Sequence, residues 1–515
     1  MFRSYLFVFV LFLAVFSCKR VTDSSSLVLK DTVGDSLTVT KQWCSTCHLF
    51  PDPGLLTKAA WEKKVLPNMG FRLGIPTIGY TPIEAFDMME QNLIIETNVY
   101  PGHPLISQND WAKITSYILN HAPDSFLVQK DQNESLKEFD VVTKGNLVQI
   151  PAVTLLVYDS IAKLFHIGME PGNLFTYDQG WNRKDSINLH TTPVDFVVTG
   201  GKDYLLSIGK MYPSEYKVGS LFEIKSGVPA KLISKLHRPV SMTFTDMNGD
   251  QINDVVICEF GFESGALTWF QGQNMGFDTV KHLLKGMPGA VKSMVSDMDD
   301  DGIKDLVVLM AQGDEHISVY KMNEKGIDKE YKVLRFPPVH GVCDIDINDF
   351  NYDGKPDIIV SNGDNADYSQ IIKPYHGITV YLNKGNLNFD STLFIPYPGV
   401  LQCKTLDFDQ DGDMDFVATS YFPGDKENNY APFKYFEQKE GKFIAKTFKG
   451  SRQGKWMRMI TGDFDSDGDQ DILLGSFLLN TFLVEGSRDE LVSHSLVLLK
   501  NNLVKNVSGA SKARK

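Results

Sequence analysis

The densest chemistry in the chain lies in Gln42-Trp43-Cys44-Ser45-Thr46-Cys47-His48. Two thiols three positions apart can each add to one vinyl group of a single macrocycle, and the adjacent imidazole then reaches the iron at its centre. C-x-x-C-H is accordingly the attachment sequence for c-type haem, here through Cys44, Cys47 and His48. The same cysteines could form a redox dithiol or half of a zinc site. The immediate His48 and the lack of a second Cys pair favour one haem c. The iron needs a sixth ligand, and a Met there raises the potential. Met69, in Leu66-Pro67-Asn68-Met69-Gly70, is the expected donor, on a turn after a Trp-containing helix; Met88, Met89 and His103 are the alternatives.

A second chemistry is repeated five times. The loops are Asp246-Met-Asn248-Gly-Asp250-Gln-Ile-Asn-Asp254, Asp297-Met-Asp299-Asp-Asp301-Gly-Ile-Lys-Asp305, Asp349-Phe-Asn351-Tyr-Asp353-Gly-Lys-Pro-Asp357, Asp407-Phe-Asp409-Gln-Asp411-Gly-Asp-Met-Asp415 and Asp463-Phe-Asp465-Ser-Asp467-Gly-Asp-Gln-Asp471. Each sets oxygen side chains at positions 1, 3, 5 and 9, and a backbone carbonyl at position 7 could complete a calcium site. Four loops carry Gly at position 6, where the turn is sharp; in the first, Gly249 comes two residues earlier. An EF-hand needs a carboxylate at position 12, where this chain has Ile257, Val308, Val360, Ala418 and Leu474. The proposed ligands include eighteen carboxylates, which would repel one another without a counter-ion. Up to five calcium ions would bring the net charge of −13 to −3.

The elements that must hold these residues are of two kinds. Around the Cys pair the pattern is helical: Thr57 to Leu66 reads as a short helix stopped by Pro67, Thr81-Pro82-Ile83-Glu84 as a capping box, and Ser107 as the cap of a last helix carrying Trp111, Ile114, Ile118 and Leu119. Met88 and Met89 fall within an amphipathic pattern, where packing into a core is their plain role. A haem motif near the start and an amphipathic helix near the end resemble class I cytochromes c. That resemblance implies a small all-α domain over residues 41–125. A Trp-containing helix leading to Met69 resembles one cytochrome subgroup.

Beyond residue 138 each acidic loop runs into an apolar or β-branched segment such as Leu306-Val307-Val308-Leu309, a strand signature. Loop starts lie 51, 52, 58 and 56 residues apart, a repeat that accommodates four strands. Motif and context resemble the FG-GAP, or VCBS-like, repeats of integrin-type propellers. The resemblance implies an all-β propeller over residues 138–503. Two further units lack the loop: one has Thr192-Pro193-Val194-Asp195-Phe196 and Leu221-Phe222-Glu223-Ile224, the other Pro151-Ala152-Val153 and Leu174-Phe175-Thr176-Tyr177. Seven blades result. The last ends on a third strand, Leu496-Val497-Leu498-Leu499. Phe139-Asp140-Val141-Val142 resembles the fourth strands expected at Phe277-Asp278-Thr279-Val280 and Phe389-Asp390-Ser391-Thr392, and can close the ring.

Residues 1–17 read as a secretory leader, one Arg before a short apolar run. Cys18 after Ser17 resembles a lipoprotein lipidation site, followed by a flexible tether over 18–40; residues 504–515 read as a disordered tail. These features imply an exported protein, periplasmic or on the cell surface, held to a membrane by acyl chains. The three remaining cysteines, Cys258, Cys343 and Cys403, read as buried thiols. No basic stripe follows a phosphate backbone, which argues against nucleic acid as a partner. Three functions compete: electron transfer with a redox partner protein or periplasmic donor or acceptor, a haem-linked propeller dehydrogenase, and calcium-dependent surface adhesion. The propeller segment has no GxSxG, HExxH or Gly-rich nucleotide loop, its histidines are scattered, and C-x-x-C-H tips the reading to electron transfer rather than enzyme.

Overall fold

The computed structural model describes residues 31–144, 147, 150–365, 371–424, 430–478 and 494–503. The leader, Cys18 and the tail expected at 504–515 lie outside the described residues.

Short apolar runs that follow the acidic loops become the second strands of blades 3 to 7: Asp254–Glu259, Asp305–Met310, Asp357–Asn362, Asp415–Ser420 and Asp471–Ser476. All are buried along their whole length, as a strand covered on both faces must be. Seven antiparallel sheets follow in chain order. Their first strands are Val153–Asp159, Pro193–Thr199, Pro239–Thr245, Ala290–Ser296, Val342–Asn348, Val400–Leu406 and Trp456–Gly462. The chain is a seven-bladed β-propeller.

Every first strand carries a register shift near its start, from Val153/Leu155 in blade 1 to Trp456/Arg458 in blade 7. Such bulges re-aim a side chain, and the re-aimed residues tie neighbouring first strands together. Asp195 accepts from Met242 N (2.7 Å), Lys292 pairs with Asp344 (2.7 Å), Gln402 accepts from Met459 N (2.9 Å), and Arg458 Nε donates to Thr154 O (2.7 Å). Between blades the space is filled by apolar clusters; Phe165, Tyr158 and Phe464 meet at centroid distances of 4.7 to 5.2 Å where blade 1 meets blade 7.

The ring closes where the sequence placed the closure. Phe139–Thr143 pairs antiparallel with Leu496–Asn501, Phe139 opposite Asn501 and Thr143 opposite Val497. The Phe139 ring lies buried against Tyr435 (5.8 Å) and Phe408 (6.4 Å), so the closing strand also fills the boundary between blades 6 and 7. Just before it, Glu134–Ser135 pairs parallel with the outer strand of blade 6, Lys442–Thr447. One short stretch thus fastens two blades.

Several local readings are corrected. The fourth strand of blade 3 is His282–Lys285, not Phe277 to Val280, because Gly276 turns Gly276–Phe277 back against Gly272–Gln273 in a separate hairpin. Blade 5 has its fourth strand at Phe389–Pro396 as expected. The tether read over 18–40 gives way to a helix at Ser36–Cys44, whose cap Asp35 accepts from Thr38 N. Pro67 does not stop its helix. Lys58–Ala60 passes through a π-turn at Trp61–Val65 into Leu66–Arg72, with Leu66 N reaching back to Trp61 O. A wider turn accommodates a residue with no N–H to give. Thr81 starts only turns; the next helix is Met88–Glu96, capped by Asp87 through Glu90 N. The last helix, Gln108–His121, is capped by Ser107 and buries Ile114 and Ile118 as the sequence indicates.

Candidate functional site

Cys44 ends the helix Ser36–Cys44 and is half-buried against the core formed by Val39, Trp61, Ile114 and Ile118, on which Trp43 and Met69 also pack. Burial pushes its thiol up to about 11. Cys47 is exposed. His48 follows a bend, and its Nδ1 lies 2.8 Å from Leu49 O. A carbonyl only accepts, so Nδ1 carries the proton and Nε2 keeps its lone pair. A ligating His is commonly oriented this way by its other nitrogen. Burial lowers the pKa of His48, against the Leu49 bond and the charge of Asp314, which raise it.

Met69 lies within the helix Leu66–Arg72 rather than on a turn, on the same core as Cys44. Met88 and Met89 do not pack into a core: they are 80% and 67% exposed at the start of their helix. His103 is exposed in a loop. The residues present suit a covalent haem, with two thiols, an imidazole whose Nδ1 is held by Leu49 O, and a thioether on the core against which Cys44 packs.

This helical unit sits on one face of the propeller. Arg72 pairs with Glu263 (2.6 Å), Tyr100 OH donates to the same carboxylate (2.6 Å), Glu215 N donates to Glu90 Oε1 (2.6 Å), and Tyr375 OH donates to Leu55 O (2.9 Å). Val339 and Ile371 complete the helical core from the propeller side. Glu215, Glu263, Ile371 and Tyr375 lie on connections between second and third strands, and Val339 joins blades 4 and 5. The acidic loops join first to second strands and so occupy the opposite face.

Sequence reading left the propeller histidines as scattered surface or core residues and gave no hint that Glu215, His237 and Ser264 meet. They are drawn together beneath the helical unit, with His237 Nδ1 3.4 Å from Ser264 Oγ. The group is a staple rather than a nucleophile relay. Glu215 accepts from the Ser264 hydroxyl and from Glu263 N and Ser264 N (both 3.1 Å), which holds that loop against the blade. His237, with its pKa pushed down to about 4 by burial, stays neutral against Ser214 O.

The five acidic loops share one construction. Position 1 accepts backbone N–H groups from positions 5 and 6, as Asp407 does from Asp411 N (3.1 Å) and Gly412 N (3.0 Å). Position 9 is buried and braces the loop. Asp254, Asp305, Asp357, Asp415 and Asp471 each accept from the backbone N of position 2 and from a backbone N at the end of the blade's third strand. Both turn positions are left-handed in every copy: position 4 is Gly249, Asp300, Tyr352, Gln410 or Ser466, and position 6 is Gln251, Gly302, Gly354, Gly412 or Gly468. The displaced glycine of the first loop therefore serves the other left-handed residue.

A Cβ on Gly412 would meet open space, so only its φ of +99° demands glycine. Gly412→Ala should cost about 1–2 kcal/mol, read as a lower urea midpoint with unchanged slope. A neutral outcome would mean that the loop tolerates another backbone path.

Carboxylate oxygens of Asp297, Asp299 and Asp305 lie within 4.8 Å of one another, as do those of Asp407, Asp409 and Asp415, and of Asp463, Asp465 and Asp467. Clustered hard oxygen donors of this kind suit calcium. In blades 3 and 5, Asn248 and Asn351 turn instead to the position 5 carboxylates, Asp250 (2.9 Å) and Asp353 (3.1 Å). The protons of the blade 6 loop reflect the crowding. Asp409 is pushed up to about 6 and Asp415 to about 7, by burial first and then by neighbouring carboxylates.

A search among curated proteins finds no relative of significant similarity. Among solved structures, the chain is similar to the Neurospora crassa Pan2 WD40 domain (11% identity, 71% of this chain and 97% of that one, TM-score 0.43). It is also similar to the Dos1 propeller (11%, 68% and 78%, TM-score 0.41) and to the N-terminal domain of Nup159 (10%, 73% and 99%, TM-score 0.40). A family model described as FG-GAP-like repeat matches residues 297–360, 349–418 and 407–474. Each match begins at position 1 of an acidic loop and ends in the second strand that follows the next loop. Blades 4 to 7 of this seven-bladed propeller are therefore built on FG-GAP-like repeats.

Proposed function

We propose that the protein is an electron-transfer protein, with one haem c held by the helical unit and a calcium-binding propeller as its docking scaffold. The observation that carries this reading is the set of Cys44, Cys47 and a His48 whose Nδ1 is committed to Leu49 O, leaving Nε2 available to iron. Cys44 and Cys47 would hold the porphyrin, and His48 and Met69 would ligate its iron. When bound, the haem supplies a one-electron couple.

The chain's own residues do the rest. Packing of Ser36–Cys44 against Gln108–His121 brings the attachment site to the last helix, as the resemblance to class I cytochromes c implies. Asp110 reinforces that corner by accepting from Thr32 N (2.7 Å). The propeller face under the helices fixes their orientation and leaves the opposite face, with its calcium loops, for other contacts. The redox partner is a protein or a periplasmic donor or acceptor. Cys18, if acylated, would keep the exchange at a membrane surface on the exported side.

Replacing Cys44 and Cys47 together by Ala should abolish haem retained after a denaturing gel while the propeller still melts cooperatively. Haem that stays on defeats the assignment. Met69→Ala should remove the sulfur-to-iron absorption band at the red end of the spectrum; survival of that band would hand the role to Met88, Met89 or His103.

A further inference from the structure

In blades 3 to 7 the residue at the end of the third strand that precedes the brace on the acidic loop is not the same, and its charge changes from blade to blade. It is the residue just before the backbone N that braces position 9: Gln271, Lys321, Leu382, Glu437 and Lys500 in blades 3 to 7. In blade 4 the Lys321 ammonium contacts Asp299 and lies 3.2 Å from Asp301, positions 3 and 5 of its loop. In blade 7 Lys500 does the same, contacting Asp465 and reaching within 3.9 Å of Asp467. Gln271 donates to Asp250, also position 5, at 3.1 Å. Blade 6 reverses the sign: Glu437 stands in this place, held by Lys439 and Lys446 at 2.7 Å each, and its charge bears on Asp409.

We propose that this third-strand residue grades the loops by their need for a divalent cation, with Lys321 and Lys500 acting as resident cations in blades 4 and 7 and the blade 6 loop taking calcium most tightly. Each ammonium touches the carboxylates at positions 3 and 5, so calcium must displace it before using them. Opposite charges at this distance interact strongly enough to change affinity by an order of magnitude or more, even with solvent nearby. In blade 6 no Lys or Arg among the described residues pairs with the loop carboxylates, and a further carboxylate, Glu437, stands behind the ligands. The inference rests on the calcium reading above.

The test uses the full-length protein, stripped with chelator and titrated with calcium in a calorimeter. The tightest binding step of the wild type should vanish in Asp409→Asn. The double variant K321Q/K500Q should bind at two sites about tenfold more tightly than the wild type, and should melt lower than the wild type in chelator, with the gap closing at saturating calcium. K321R/K500R should restore the wild-type curve. If the wild type binds no calcium, the calcium reading fails and the grading fails with it. If it binds but K321Q/K500Q titrates identically, or Asp409→Asn spares the tightest step, the grading alone is overturned.

Discussion

A chain that begins at Asn146 is expected to aggregate, whereas one that begins at Gln129 should fold to a soluble propeller. Both lack the helical unit, so they differ only in the stretch that fastens blades 6 and 7. The longer chain keeps Asp131, whose carboxylate pairs with the buried Lys434 (2.6 Å) and accepts from Ala431 N (2.7 Å). It also keeps the parallel pairing of Glu134 and Ser135 and the whole closing strand. The shorter chain exposes Leu496–Asn501 as an open edge of mostly buried apolar residues, a template for pairing between molecules. A finer version uses the intact protein. Phe139→Ala removes a ring buried against Tyr435 and Phe408 and should cost about 3–5 kcal/mol, lowering the melting temperature without changing secondary structure content. Equal solubility of the two truncated chains would show that blade 7 does not need its borrowed strand.

Calcium removal is expected to lower the melting temperature, and more so at pH 7.5 than at pH 5.5. A site at 100-fold saturation contributes about 2.7 kcal/mol by mass action, and several sites act on one ring. The pH dependence follows from the loop carboxyls. Asp409 at about 6 and Asp415 and Asp471 at about 7 are raised above the ordinary value of 3.8, in each case by burial first. In the metal-free fold they hold protons that the unfolded chain has released, so stability falls as pH rises from about 4 to 7. Calcium favours their charged forms and removes that loss. The measurement is a pair of melts at each pH, with calcium and with chelator. A drop that is equal at both pH values, or absent, would contradict the metal reading of these loops.

The architecture was legible because its signals are local and repeated. Position 9 of each loop marks the first residue of a buried strand, and the apolar run after it has no other use. The closing strand could be placed because Phe139-Asp140 repeats the Phe-Asp pair that opens the fourth strand of blade 5. The same echo misled at Phe277-Asp278, where a glycine hairpin delays the strand by a few residues. In the helical unit, the proline rule gave a stop at Pro67 that a π-turn circumvents, and so moved Met69 from a turn into a helix. Thr81 is the cap expected from the sequence; the helix is capped instead by Asp87, whose carboxylate also accepts from Tyr216 OH, 2.9 Å away on the propeller. What the sequence could not display is pairing at a distance. Lys321 and Lys500 read as surface lysines until the third strand is folded against its loop, and the contact of Glu215 with Ser264 spans two blades.

The borrowed strand also sets an order of events. Phe139 is synthesised long before its partner Asn501, so blade 7 cannot be completed until the third strand of that blade has emerged. Until then Phe139–Thr143 has no antiparallel neighbour and blades 1 to 6 form an open arc, with one edge waiting on each side of the gap. Contacts this distant in sequence form slowly, because the loop must close before any of them stabilises it. The latch at Glu134–Ser135 shortens that wait, since the outer strand of blade 6 is made before blade 7 and can position the closing strand beside the gap. Ring closure is therefore expected late in folding, when the unpaired edges of blade 7 and of Phe139–Thr143 could pair with another unfinished chain.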